Sequence, residues 1–216
     1  MKKILLTGFE PFDGEPINPS WEVVRQLDAT RMSDGSAIVA AQLPCAFGLA
    51  LRDLEKHIRE HKPHVVVCIG QAGGRSGISI ERVAINVDDA RIADNRGAQP
   101  VDSPIVENGP AAYFSTLPLK AIVAAIRSRG IPAAVSQTAG TFVCNHVFYG
   151  LMHIAAKRRS IKHAGFVHIP YLPSQAIRHA DAPSMALESM GVAILQLLET
   201  TLTVDEDIAL PGGSLH

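Results

Sequence analysis

Apolar positions recur along this chain in short continuous runs that alternate with stretches of helical spacing. Residues 3–8 (KILLTG) form an apolar run ended by glycine and predict a buried strand. The turn-rich segment 10–16 follows, and Asn18-Pro19-Ser20 then opens a helix: asparagine suits a cap and proline the first helical position. Trp21, Val24 and Leu27 continue it as a stripe. A strand is expected at 37–43 and a helix at about 47–61, where Leu51, Leu54 and Ile58 keep helical spacing. The run Val65 to Ile69, closed by Gly70, is the clearest buried strand in the chain. Residues 71–109 are polar and glycine-bearing, with one strand-like piece at 83–87, and long segments of that kind are usually functional or disordered. The rhythm resumes with a helix at 119–129, a strand at 133–136, a helix at 143–157, a strand at 165–169 and a last helix at about 183–201. Strands alternating with helices require crossover connections. The expected fold class is therefore α/β, an open, mostly parallel twisted sheet with helices on both faces, a three-layer sandwich.

Composition narrows the function classes. With 216 residues, 47% of them hydrophobic and 19% charged, the chain is expected to form a single domain over 1–216 around a well-filled core. A formal net charge of -1 without long runs of one sign points away from nucleic acid and from a polybasic membrane patch, and toward small molecules or peptides. No apolar stretch nears the roughly 20 residues needed to cross a bilayer. The apolar start is cut short by Thr7-Gly8-Phe9-Glu10, far from a signal-peptide core, and reads as the first strand. Three cysteines without paired spacing argue against a disulfide framework and for a cytoplasmic location. The tail Pro211-Gly212-Gly213-Ser214 is expected to be loose.

Ligands of open α/β sheets bind outside the carboxyl ends of the strands, so the residues there carry the candidate chemistry. Phe9 and Phe12 follow the first strand, Gln71 and then Glu81 follow the run at 65–70, Cys144 follows 133–136, and His168 ends the run at 165–169. Cys144 stands where a polar turn enters an apolar helix. The positive end of the helix dipole and its free N–H groups are expected there to favour the thiolate. A nucleophile, a base and a carboxylate at one rim suit acyl transfer. Cys144 would attack a carbonyl, His168 would move the proton, Glu81 would orient the imidazole, and the Cys144 N–H with Arg91 would hold the oxyanion.

Each of these residues also has an ordinary structural use. Cys68 inside its apolar strand is a small buried hydrophobe, and Cys45 at a strand end favours structure. His146 lies two residues from Cys144 and faces elsewhere on a helix, while His146 and His153 share a face without a metal pattern. Zinc spacing does not stand out, and neither a metal nor a cofactor is expected. Gly73-Gly74-Arg75 is a weak anion cradle without a phosphate-loop lysine. Asp88, Asp89 and Asp94 read as solvated loop carboxylates, and Glu81-Arg82 also fits a surface ion pair.

Three blocks resemble pyroglutamyl peptidase type I, a family of cysteine peptidases. They are Leu6 to Phe12 with Asn18-Pro19-Ser20; Gly70 to Arg75 through Glu81 to Asn86 and on to Ala90 to Asn95; and Ser136 to Asn145 with His168-Ile169-Pro170. The resemblance implies the triad Glu81, Cys144 and His168, with Arg91 assisting the oxyanion hole. It also implies an α/β fold, often assembled as a homotetramer, and removal of N-terminal pyroglutamate from peptides without metal or cofactor. Phe9, Phe12, Ile92, Phe142 and Val143 match the family's apolar pocket, and the backbone near Gln71 its lactam contact. Cys45 stands where a threonine or another small residue is expected, and Asp13 where glycine is frequent. Two other readings remain: a different thiol amidase or deamidase on the same trio, and a non-catalytic anion-binding module built on Gly73-Gly74-Arg75.

Overall fold

The structure, a computed structural model, describes residues 2–213. In chain order the strands and helices are β1 (Lys3–Phe9), α1 (Pro19–Gln26), β2 (Ala37–Leu43), α2 (Leu49–His61), β3 (Val65–Gln71), β4 (Ile78–Glu81), β5 (Val83–Ile85), β6 (Ala112–Phe114), α3 (Leu119–Ser128), β7 (Ala133–Ser136), α4 (Val143–Lys157), β8 (His163–Ile169), α5 (Pro173–Ala176) and α6 (Leu187–Thr203). Six strands form a sheet in the order β2-β1-β3-β8-β4-β7, and β5 pairs with β6 in a small separate sheet.

The sheet is mostly parallel, as expected, with one reversal. β4 is antiparallel to β8 and parallel to β7, so these two strands run against the other four. The reversal rests on β4, a strand that the sequence pattern does not announce: four residues, ISIE, follow a glycine-bearing turn and are buried on both faces.

Two-residue alternation sorts the side chains into two cores. Ile4 and Leu6 of β1, Val65, Val67 and Ile69 of β3, Ile78 and Ile80 of β4, and Val167 and Ile169 of β8 pack with α1, α3 and α6. Leu5 and Phe9, Val66 and Cys68, and Ala164 and Phe166 pack on the other face with α2 and α4. On β4 and β8 the second face also receives Ser79, Glu81 and His168. Polar groups thereby enter an otherwise apolar layer beside the start of α4.

Local chemistry explains the boundaries. Asn18 caps α1 by accepting the Ser20 N–H at 3.1 Å while its amide donates to the Glu10 carbonyl at 3.0 Å. α2 begins at Leu49 because Gly48 is held at φ 68°, outside helical space. α6 begins at Leu187, later than its periodicity suggests, because Ser184 bridges to Tyr171 in an extended conformation. The long segment 71–109 holds β4 and β5 and is then tied down. Asn86 exchanges two 2.9 Å bonds with the Val106 backbone, and Asp88 bridges to Ser103. Asp88 and Asp94 are buried, at 6% and 7% exposure, which corrects their reading as solvated carboxylates. Asp94 accepts the N–H groups of Phe47, Arg96 and Ala98 at 2.8 to 2.9 Å. Leu210–Gly213 line a cleft with α3 and β7, and Arg82 donates to the Gly212 carbonyl; Ser214 of the expected loose tail lies outside the described residues.

Candidate active site

The turn before α4 leads into the candidate nucleophile, Cys144. Gly140 takes φ 77°, Phe142 is extended, and the helix starts without a side-chain cap. Its first N–H groups are thus left for an acceptor from outside. Cys144, the second helical residue, lies directly over the sheet: a Cβ placed on Gly70 would sit 2.8 Å from its Sγ and 2.9 Å from the Phe166 ring. Only glycine fits at that point of β3. Gly70 is also the register partner of His168 on the neighbouring parallel strand. Partner side chains on adjacent strands, about 4.8 Å apart, leave the same face of the sheet. The Cys144 sulfur and the His168 side chain thus lie on the same face of the sheet, over adjacent strands.

His168 is 4% exposed, tilts against Phe166 at 5.0 Å between ring centroids, and places Nδ1 2.8 Å from Oε1 of Glu81. A carboxylate only accepts, so Nδ1 carries a proton and donates it. Glu81 is fully buried. It reaches His168 along a diagonal, since Ser79 is the register partner of His168 and Glu81 lies two residues further along β4 on the same face. The expectation of one carboxyl-end rim is thereby corrected. Phe9, Gln71 and His168 do come from the carboxyl ends of β1, β3 and β8, whereas Glu81 arrives on a strand running the other way and Cys144 on a helix above the face.

A buried carboxylate needs compensation, which Arg75 supplies. Its Nη1 donates to the same Oε1 at 2.7 Å and to Ser136 Oγ at 3.3 Å, and its Nη2 donates to the Thr138 carbonyl at 3.2 Å. The Glu81-Arg82 ion pair does not form; Arg75 takes that place. Gly73-Gly74-Arg75 is correspondingly no open anion cradle: the guanidinium turns to Glu81, and a Cβ on Gly73 would lie 2.3 Å from the Tyr171 hydroxyl. Sequence spacing held no signal for this clamp.

The sequence expectation of a pre-ionised thiol is also corrected. Burial pushes the Cys144 thiol well above its ordinary value, with Cys45 and Glu81 acting in the same direction and Arg75 opposing them.

Arg91, Ile92 and Phe142 line one open cleft of about 380 Å³ with Asp89, Gly140 and Thr141. Phe12 joins them through Phe142, its ring centroid 6.2 Å away. Phe47, which sequence pattern did not single out, stands edge-on to Phe142 at 5.4 Å. Phe9 and Val143 are 2% and 0% exposed and belong to the core behind the site. Gln71 accepts a 3.0 Å hydrogen bond from Gln175. Cys45 is buried and its thiol is pushed up to about 12 by that burial.

A thiol at an uncapped helix start, on the same sheet face as an imidazole whose Nδ1 meets a buried carboxylate, fits one class: a cysteine-type hydrolase on an α/β sheet. The family model described as pyroglutamyl peptidase matches residues 2–203. The pyrrolidone-carboxylate peptidase of Cupriavidus pinatubonensis is 60% identical over 217 residues, and that of Erwinia tasmaniensis 60% identical over 216, with each chain covered in full. Among solved structures, pyroglutamyl peptidase I from Bacillus amyloliquefaciens superposes with a TM-score of 0.93 at 48% identity, over 97% of this chain and 99% of that one. A pyrrolidone carboxyl peptidase from Pyrococcus furiosus gives 0.90 at 44% identity, over 93% and 98%. The chain belongs to the pyroglutamyl peptidase family of cysteine peptidases.

Proposed function

We propose that this chain removes an N-terminal pyroglutamyl residue from peptides through a thioester acyl-enzyme. The observation that carries the reading is Cys144 Sγ packed over Gly70, the register partner of a His168 whose Nδ1 is held by Glu81. Cys144 Sγ attacks the pyroglutamyl carbonyl carbon while its proton passes to His168 Nε2. The oxyanion is met by the Cys144 N–H and by Arg91. Collapse of the tetrahedral intermediate breaks the C–N bond, and the amine leaves with the proton from His168. Water, deprotonated by the same imidazole, then cleaves the thioester and releases pyroglutamate and the free thiol.

Selectivity follows from solvation. Phe12, Ile92 and Phe142 offer an apolar wall to a compact uncharged lactam, whose ring amide bonds to the backbone near Gln71. An ordinary N-terminal ammonium group would lose its hydration there without a partner. The reaction as written uses side chains alone, with no cofactor. A homotetramer in the cytoplasm completes the proposal, the location supported by three free cysteines.

Pyroglutamyl, prolyl and glutaminyl fluorogenic amides offered side by side test the reading. Turnover of the first alone, lost in Cys144→Ser, is the expected result. Equal turnover of all three would point to a broader thiol amidase, and full activity of Cys144→Ser would remove the nucleophile.

A further inference from the structure

A second buried histidine–carboxylate pair involves α4, the helix that carries Cys144. His146, two residues after Cys144 on α4, is turned some 200° around the helix from it and so faces away from the reacting sulfur. It is 6% exposed, and its Nδ1 lies 2.8 Å from Oδ2 of Asp88, itself 6% exposed. Its Nε2 accepts the Gly48 N–H at 3.0 Å. A backbone N–H only donates, so the imidazole is the Nδ1–H tautomer and donates to Asp88. The ring also stands edge-on to Phe47 at 5.5 Å, and Phe47 in turn meets Phe142.

Neighbouring residues repeat the pattern. Asn145, fully buried, accepts the Ile85 N–H at 3.1 Å and donates to the carbonyls of Ile85 and Val87 at 2.9 and 3.0 Å. Thr141 accepts the Asp89 N–H through its carbonyl at 3.0 Å and donates its hydroxyl to the Asp89 carbonyl at 2.7 Å. The residues flanking the nucleophile thus fasten the chain from Ile85 to Asp89, directly ahead of Arg91 and Ile92. A buried polar pair is an expensive way to fill a core, where apolar residues carry no desolvation cost. What the pair adds is direction.

We propose that His146 and Asp88, helped by Asn145, are positioning residues that hold the segment carrying Arg91 at a fixed place relative to Cys144. The inference rests on the catalytic reading of Cys144 and Arg91 above. Because it acts through the oxyanion donor, it concerns the transition state more than substrate capture.

The test uses the full chain and a pyroglutamyl amide. Asp88→Ala should lower kcat about thirtyfold with KM changed less than about threefold, as for a transition-state interaction. Asp88→Asn retains an oxygen that accepts from His146 and should recover kcat to within about threefold of the wild type. In an Arg91→Ala background, Asp88→Ala should cost less than about a further threefold, because both changes remove one effect. Hydrogen exchange at Asp89 and Ala90 should quicken in Asp88→Ala while the end of α4 is unchanged. Should Asp88→Ala fail to fold, Asp88→Ser, too short to reach the imidazole, takes its place in every arm. An unchanged kcat in the folded variant, losses that multiply with Arg91→Ala, or an Asp88→Asn no better than Asp88→Ala would each overturn the proposal. A wild type inactive on the amide would instead defeat the catalytic reading, while the exchange measurement still decides whether the pair holds 88–90.

Discussion

At the scale of single residues, the site depends on one missing side chain. Gly70 is required because Cys144 Sγ and Phe166 occupy the space a Cβ would need. Gly70→Ala should displace the sulfur and lower kcat/KM at least about a hundredfold, since a 1 Å misplacement of a reacting group has that scale of effect. Steady-state assay of the folded variant checks this; near wild-type activity would mean that the thiol reacts from elsewhere. Glu81→Gln, which keeps an oxygen able to accept from His168, should be milder than His168→Ala, by about tenfold or more in kcat, because Glu81 orients the base and does not move the proton. Cys144 and His168 were visible as candidates because one opens a helical run and the other ends an apolar strand, and Glu81 because it lies in a block shared with the family. Arg75 was not, since nothing in a glycine-rich turn says that its arginine folds back six residues to a carboxylate on an unannounced strand. The expectation of a low thiol value at Cys144 fails for a related reason: a helix start is visible in sequence, whereas the burial that pushes the thiol up depends on which strands lie underneath.

Among the elements, those with continuous apolar runs or helical spacing appear where the sequence places them: β2, β7 and α4 at the expected bounds, and β1, β3, α2, α3 and β8 to within a few residues. β4 escaped because ISIE is too short to show a period and carries a charged residue that ends up buried. The direction of β4 and β7 is a tertiary property and left no local trace. A polar fastening sets the start of α1. Asn18→Ala should cost about 1 kcal/mol, the usual worth of an N-cap, and somewhat more here because Asn18 is 2% exposed and also bonds to Glu10. Urea unfolding measures it, and no shift in midpoint would contradict the cap's role.

Across the whole molecule, the buried thiols tie stability to alkaline pH. Burial pushes Cys45 and Cys68 up to about 12, whereas an unfolded cysteine ionises near about 8.5. A group whose value is raised by folding contributes stability that is fully present below its unfolded value and is lost as pH rises toward the folded one. Unfolding midpoints should therefore fall from about pH 8.5 upward. A Cys45→Ala/Cys68→Ala variant, though weaker at neutral pH, should fall less steeply. Equal slopes would place the alkaline sensitivity elsewhere.

The central claim, that Cys144 carries the acyl group after His168 takes its proton, is tested most directly by quenching the protein in acid during turnover of a pyroglutamyl amide and mapping adducts by peptide mass. The account predicts one pyroglutamyl group on the peptide holding Cys144, absent in Cys144→Ser and much slower to form in His168→Ala. Full turnover by Cys144→Ser, or an adduct on any other residue, would contradict it.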